Sequence, residues 1–178
     1  MKRRNVPPDA AFRYMSMMAE RFLTPAETRL VGSLFGDAIE PGRIRVCRRR
    51  WFPFHPRDAI MAPDGHIWCH PRGSLWRDCY ASASLTMQAL FVHELVHVWQ
   101  AQTRGRWYLP LMRHPFCRYA YALTPGRPFA RYGIEQQAEI VADAFLLMRG
   151  VVKIGGPALA DYRRVIPFPM KLAPATAP

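Results

Sequence analysis

An α+β fold is what this 178-residue sequence predicts, in the form of a small antiparallel sheet packed on one long helix with a second helix beside it. Three observations carry that expectation. Residues 43–46, Arg-Ile-Arg-Val, alternate in character, so Ile44 and Val46 share one face of an extended strand and Arg43 and Arg45 the other. Residues 59–69 read as a hairpin whose turn falls at Asp64-Gly65. Two later stretches, about residues 82–103 and 134–148, have helical patterning and stop signals at Gly105 and Gly150.

The other elements follow in chain order. A first helix is expected over about residues 9–22. A second starts at Thr24-Pro25-Ala26-Glu27, a capping box with proline at the first helical position, and runs to Phe35, with Gly36 as its stop. The segment 106–132 carries Pro110, Pro115, Pro125 and Pro128 and reads as irregular. After Pro167 the composition predicts a disordered tail, so a single domain is expected over residues 1–166, with its core in about 24–149 and the tail at 167–178.

Composition narrows the partners. Half of the residues are hydrophobic, enough for a real core. The net charge of +12 is nearly all arginine; Lys2, Lys153 and Lys171 are the lysines. Because the arginines are spread along the chain, a solvated basic surface is the simplest account. An anionic partner (nucleic acid, a membrane surface or an acidic protein) is the sharper one. No run of about 18 apolar residues occurs, so no membrane span is expected. Charges and prolines interrupt the N-terminal stretch, so no signal peptide is expected either, which predicts a cytoplasmic protein. Cys47, Cys69, Cys79 and Cys117 form no CxxC pair, against a zinc knuckle and for reduced thiols.

The stretch with chemistry in it is Leu90-Phe91-Val92-His93-Glu94-Leu95-Val96-His97-Val98-Trp99-Gln100. It holds H-E-x-x-H inside an expected helix. Positions i and i+4 share a helix face, so His93 and His97 can reach one metal ion. Zn2+ suits two imidazole nitrogens plus one oxygen ligand, with a fourth position left for water. Glu94 lies about 100° further round the axis, where it can act on that water as general base. A buried helix carrying two histidines and a glutamate has no cheap structural explanation, because unpaired polar groups there cost free energy.

A catalytic site needs a third protein ligand, and the later helix offers two. Glu139 opens an E-x-x-A-D string ending at Asp143. Glu135 opens E-x-x-A-E, in which Glu139 takes an outer place and orients a ligand histidine, with Asp143 as a further outer residue. The three acids are spaced by four and share one face. Residue pattern alone leaves Glu135 and Glu139 open.

HELVHVWQ, together with the later IEQQAEIVAD, resembles small bacterial HExxH domains found near contractile-injection and type VI secretion genes, some of them labelled Vgr-related. The likeness covers roughly residues 24–148, and includes a basic extended stretch and an Asp-Gly hairpin ahead of the helix. It implies a zincin-like, gluzincin-like metallopeptidase layout, with zinc as cofactor. It favours Glu135 as third ligand, because the string E-Q-Q-A followed by I-V and an acid recurs in that family. It lends a fold and a site rather than a substrate, and it implies association with a secretion or injection apparatus and export by it; a peptide or protein substrate is what the chemistry of the site itself predicts.

The resulting expectation is metal-assisted hydrolysis of a peptide bond. Its rival is an accessory binding module in which zinc only ties two helices together. A third reading, a basic nucleic-acid-associated protease-like domain, ranks last. Proteins resembling the SprT group use a third histidine, and His114, the single histidine after the motif, sits among prolines. Nucleic acid is therefore not an expected partner. His66, Cys69, His70 and His114 are the reserve ligands. Tyr119, Tyr121 and Tyr132 are the aromatic hydroxyls that could meet an oxyanion. Arg48-Arg49-Arg50 beside Trp51 and Phe52 could meet phosphates, though a solvated loop accounts for it as well.

Overall fold

A computed structural model of the chain describes residues 19–112, 117–152 and 154–171. Its elements are β1 (Glu20–Phe22), α1 (Pro25–Phe35), β2 (Arg45–Cys47), β3 (Ile60–Met61), β4 (Ile67–Cys69), α2 (Leu85–Arg104), α3 (Tyr108–Met112), α4 (Ile134–Met148) and α5 (Leu159–Val165). The fold is α+β, and its sheet is mixed rather than antiparallel.

Strand order is β1-β2-β4-β3. β1 and β2 run antiparallel, as do β3 and β4, but β2 and β4 pair in parallel through Val46↔Ile67 and Cys47↔Trp68. The hairpin at Asp64-Gly65 forms as its turn residues dictate, with Gly65 at φ 91°. It then docks on β2 by its second strand. The long stretch 48–66 between β2 and β4 supplies the crossover that a parallel pair requires.

The segment 20–22, expected as the end of a helix, is a strand paired to β2. The rest of that expected helix, residues 9–18, lies outside the described residues. The Thr24 capping box is present in full: its side chain accepts from the Glu27 amide, and Glu27 accepts from the Thr24 amide. Ser84 caps α2 and Gly105, at φ 93°, ends it. α4 has the expected bounds. α3 and α5 are short helices in stretches read as irregular or unassigned.

The expected disorder after Pro167 does not extend to residues 168–171. Phe168 and Met170 are buried, and Met170 and Lys171 donate backbone hydrogen bonds to Leu34 and Ser33. Phe168 packs against Phe35, Trp99 and Phe129, so an aromatic cluster decides the matter over a proline-rich composition. Residues 172–178 lie outside the described residues.

One core joins the sheet to the helices. Ile44, Val46, Ile67 and Cys69 of the sheet share one buried cluster with Phe91, Leu95 and Val98 of α2, which in turn packs along α4. Tyr80 stacks on Phe91 with ring centroids 4.8 Å apart. Glu27 ties this assembly together from a fully buried position. Its carboxylate accepts two bonds from the Arg21 guanidinium at 2.7 and 2.8 Å and one from the Tyr80 amide at 2.7 Å, beside the capping bond from Thr24. Glu27→Ala strands Arg21 and two amides, and is expected to destabilise the fold by about 3–5 kcal/mol. Urea unfolding of the variant measures this; a loss below about 1 kcal/mol would make the network a bystander.

Candidate metal centre

α2 and α4 present their polar residues to each other at one level. His93, Glu94, His97 and Gln100 are buried on α2, and Glu135 and Gln137 on α4. His93 Nε2 and His97 Nε2 lie 3.2 Å apart, and Glu135 Oε2 sits 3.3 and 3.2 Å from them. These three residues form the group of metal-ligating side chains found among the described residues.

The donor set fits zinc. Tetrahedral bonds of 2.0–2.1 Å put neighbouring donors about 3.3 Å apart, which is the spacing of the three atoms here. Two imidazole nitrogens and one carboxylate oxygen are also the ligand types that a catalytic zinc takes.

Glu139, one turn along α4, meets the other nitrogen of the same ring: its Oε1 is 3.1 Å from His93 Nδ1. The two glutamates thus occupy different places, Glu135 at the converging nitrogens and Glu139 behind His93. Burial of the His93 ring acts to lower its pKa, but the carboxylates of Glu135 and Glu139, with Glu94 nearby, outweigh this and raise it to about 10. The pocket therefore draws positive charge to itself. Asp143 lies outside the trio and accepts the Tyr121 hydroxyl, which also meets Tyr162.

Gln100 is the residue that motif reasoning passed over. Its Oε1 is 2.8 Å from His97 Nδ1, while its amide nitrogen donates to the Ile134 carbonyl and to Gln137 Oε1. A backbone carbonyl can only accept, so the Gln100 amide has one orientation. Gln137 is fixed likewise by donating to the Tyr132 carbonyl. With both Gln100 donors used, His97 Nδ1 must carry the ring proton, which leaves the Nε2 lone pair facing the trio. The available signal was a glutamine three residues after a ligand histidine, on the same face. Gln100→Leu is expected to weaken zinc binding about 10- to 100-fold while helix content stays, as read by competition with a chromophoric chelator. Unchanged affinity would remove Gln100 from the site.

The other candidates separate cleanly. Tyr119 lies over His93, with ring centroids 6.4 Å apart and nearly parallel. The Tyr132 hydroxyl accepts from the Thr124 amide. His66 accepts from the Arg45 amide, Cys69 contacts the Tyr80 hydroxyl at 3.1 Å, and His70 sits beside Arg50. None of these three is in the trio, and His114 lies outside the described residues. Two hollows flank the centre. One of about 500 Å³ is lined by Gln100, Arg104, Arg118 and Glu135. The other, about 630 Å³, is lined by Tyr119, Tyr121, Glu139 and Asp143.

Fold and site together define an α+β domain with a His-His-Glu cluster built across an H-E-x-x-H helix and its neighbour. No protein-family profile matches the chain. Among solved structures it is similar to the effector domain of Pseudomonas aeruginosa VgrG2b, at 32% identity and a TM-score of 0.62, over 81% of this chain and 80% of that one. The chain belongs to the family of that effector domain. It is also 37% identical over 135 residues to the type VI secretion system spike protein VgrG2b of the same organism. That match takes in 72% of this chain and spans 13% of the spike protein's length.

Proposed function

We propose that the chain is a zinc-dependent hydrolase that cleaves peptide bonds, acting as an effector carried by a type VI secretion apparatus. The observation that supports the chemistry is the convergence of His93 Nε2, His97 Nε2 and Glu135 Oε2 at mutual distances of 3.2–3.3 Å. The observation that supports the setting is membership of the VgrG2b effector-domain family. His93, His97 and Glu135 would hold the metal. Bound there, zinc supplies a Lewis acid that polarises a carbonyl and acidifies water.

The chain's own residues do the rest. Glu94, buried next to the first ligand, takes the proton of the attacking water and returns it to the leaving amine. Gln100 holds the His97 ring, and Glu139 accepts from His93 Nδ1. The hollows on either side give an extended substrate room to lie across the centre.

One observation favours a second reading. His93 is 7% exposed, His97 1% and Glu135 0%. A closed site of this kind also suits a zinc that only clamps α2 to α4 in a non-catalytic accessory module. Metal content and turnover together separate the readings. The purified protein is expected to hold about one zinc per chain. Stripping the metal should lower its melting temperature, since ligand at 100 times its dissociation constant contributes about 2.7 kcal/mol. Cleavage of a mixed peptide library that stops with chelator and returns with zinc supports the hydrolase; bound zinc without cleavage supports the clamp. Protein prepared without chelators that carries no zinc would sink both.

A further inference from the structure

The loop between β2 and β3 reads Arg48-Arg49-Arg50-Trp51-Phe52-Pro53-Phe54-His55-Pro56-Arg57, and the metal centre makes no use of it. Phe54 is 87% exposed and Phe52 36%. The loop has internal supports. Buried His55 accepts from the Trp51 amide through Nδ1, and its Nε2 lies 3.0 Å from the Ala59 carbonyl. Its ring also stacks under Phe52, at 5.9 Å and 7°.

A second strip, residues 70–73, packs against the first. A Cβ on Gly73 would sit 2.0 Å from the Arg57 carbonyl oxygen, so glycine is needed for the two strips to meet. His70 joins them, with Nδ1 accepting from the Arg72 amide and Nε2 3.1 Å from Arg50 Nε. Arg50, Arg57 and Arg72 all act electrostatically on the His70 ring where the two strips meet, and the exposed Phe54 belongs to the first strip. Asp58, held by Ser74 Oγ, is the acid within these strips. None of these residues lines the hollows beside the metal-ligand trio.

We propose that this face docks on an anionic lipid bilayer, with Phe52 and Phe54 entering the headgroup boundary and Arg50, Arg57 and Arg72 meeting lipid phosphates. Charge complementarity selects the partner's sign, and the exposed phenylalanine selects its kind. A bilayer accepts a large apolar side chain at the acyl boundary while phosphates lie level with the guanidiniums. A nucleic-acid surface would instead use flat aromatic faces to stack on bases. One face of Phe52 already lies on His55, and Phe54 alone makes no stacking platform.

The test is co-sedimentation of the full chain with vesicles of phosphatidylglycerol mixed with phosphatidylcholine, and with pure phosphatidylcholine. Binding is expected to the anionic vesicles, weakening with salt, and not to the neutral ones. Phe54→Ser, a change at an exposed position, should weaken it about tenfold. Arg57→Gln combined with Arg72→Gln should weaken it about 30-fold, at about 1 kcal/mol per arginine near the surface. The neutral-versus-anionic comparison on the unchanged chain probes the same charges should the double variant fold poorly. Equal binding to both vesicles, full binding by Phe54→Ser, or no vesicle binding at all overturns the proposal. So does duplex DNA that binds more tightly than the anionic vesicles.

Discussion

Glu94→Gln is expected to keep its zinc and to lose peptide hydrolysis by about 10²- to 10⁴-fold. The substitution preserves shape and most hydrogen-bonding capacity but removes the ability to take a proton. Glu94 follows His93 directly, so its side chain leaves α2 about 100° around from the face that carries His93 and His97, where it would reach a metal-bound water rather than the metal. It is 2% exposed, and its charge acts on His93. Elemental analysis and turnover on the same preparation decide the matter. If the variant loses its metal, Glu94 is a ligand. If it keeps both metal and activity, the proton goes elsewhere.

Glu135→Ala should cost more zinc affinity than Glu139→Ala, and His97→Ala should lose the metal outright. Removing Glu135 takes away the carboxylate oxygen 3.2–3.3 Å from both converging nitrogens, leaving two imidazoles, a much poorer site. Removing Glu139 takes away a partner of His93 Nδ1, which loosens the ring's aim by about 10- to 100-fold in affinity. A loss beyond about 100-fold is therefore expected for Glu135→Ala alone. Asp143→Ala, which frees Tyr121, should leave affinity nearly unchanged. Metal-competition titrations on the three carboxylate variants give the order. Greater damage from Glu139→Ala would make that residue the ligand and Glu135 its neighbour.

Much of this centre could be read from the chain because its parts are local or periodic. His93 and His97 are one turn apart on α2, as Glu135 and Glu139 are on α4, and both helices declare their C-terminal ends through Gly105 and Gly150. What escaped was decided by distant partners. The strand 20–22 sits in a Met-Ala-Glu-Arg-Phe stretch of helical composition and is extended because β2 offers it an edge. The parallel pairing of β2 with β4 depends on which side of the hairpin docks, which turn residues do not record. Phe168 and Met170 follow prolines but find an aromatic pocket. Gln100 escaped because its partners, the Ile134 carbonyl and Gln137, lie on the other helix, where the local pattern does not place them.

The seam between α2 and α4 is polar at its middle, where His97, Gln100, Glu135 and Gln137 are all buried. Each satisfies another, so replacing one by an apolar residue abandons several hydrogen-bonding side chains, whereas replacing the whole set by well-packed apolar residues takes a donor only from the Ile134 and Tyr132 carbonyls. Inheritance should feel this asymmetry. Descendants can keep the quartet or discard it wholesale, but lineages halfway between are penalised, so the two glutamines should travel with the histidine through divergence as tightly as the metal motif does. A lineage that gave up the metal would then be recognisable by an oily seam before any change in its outline.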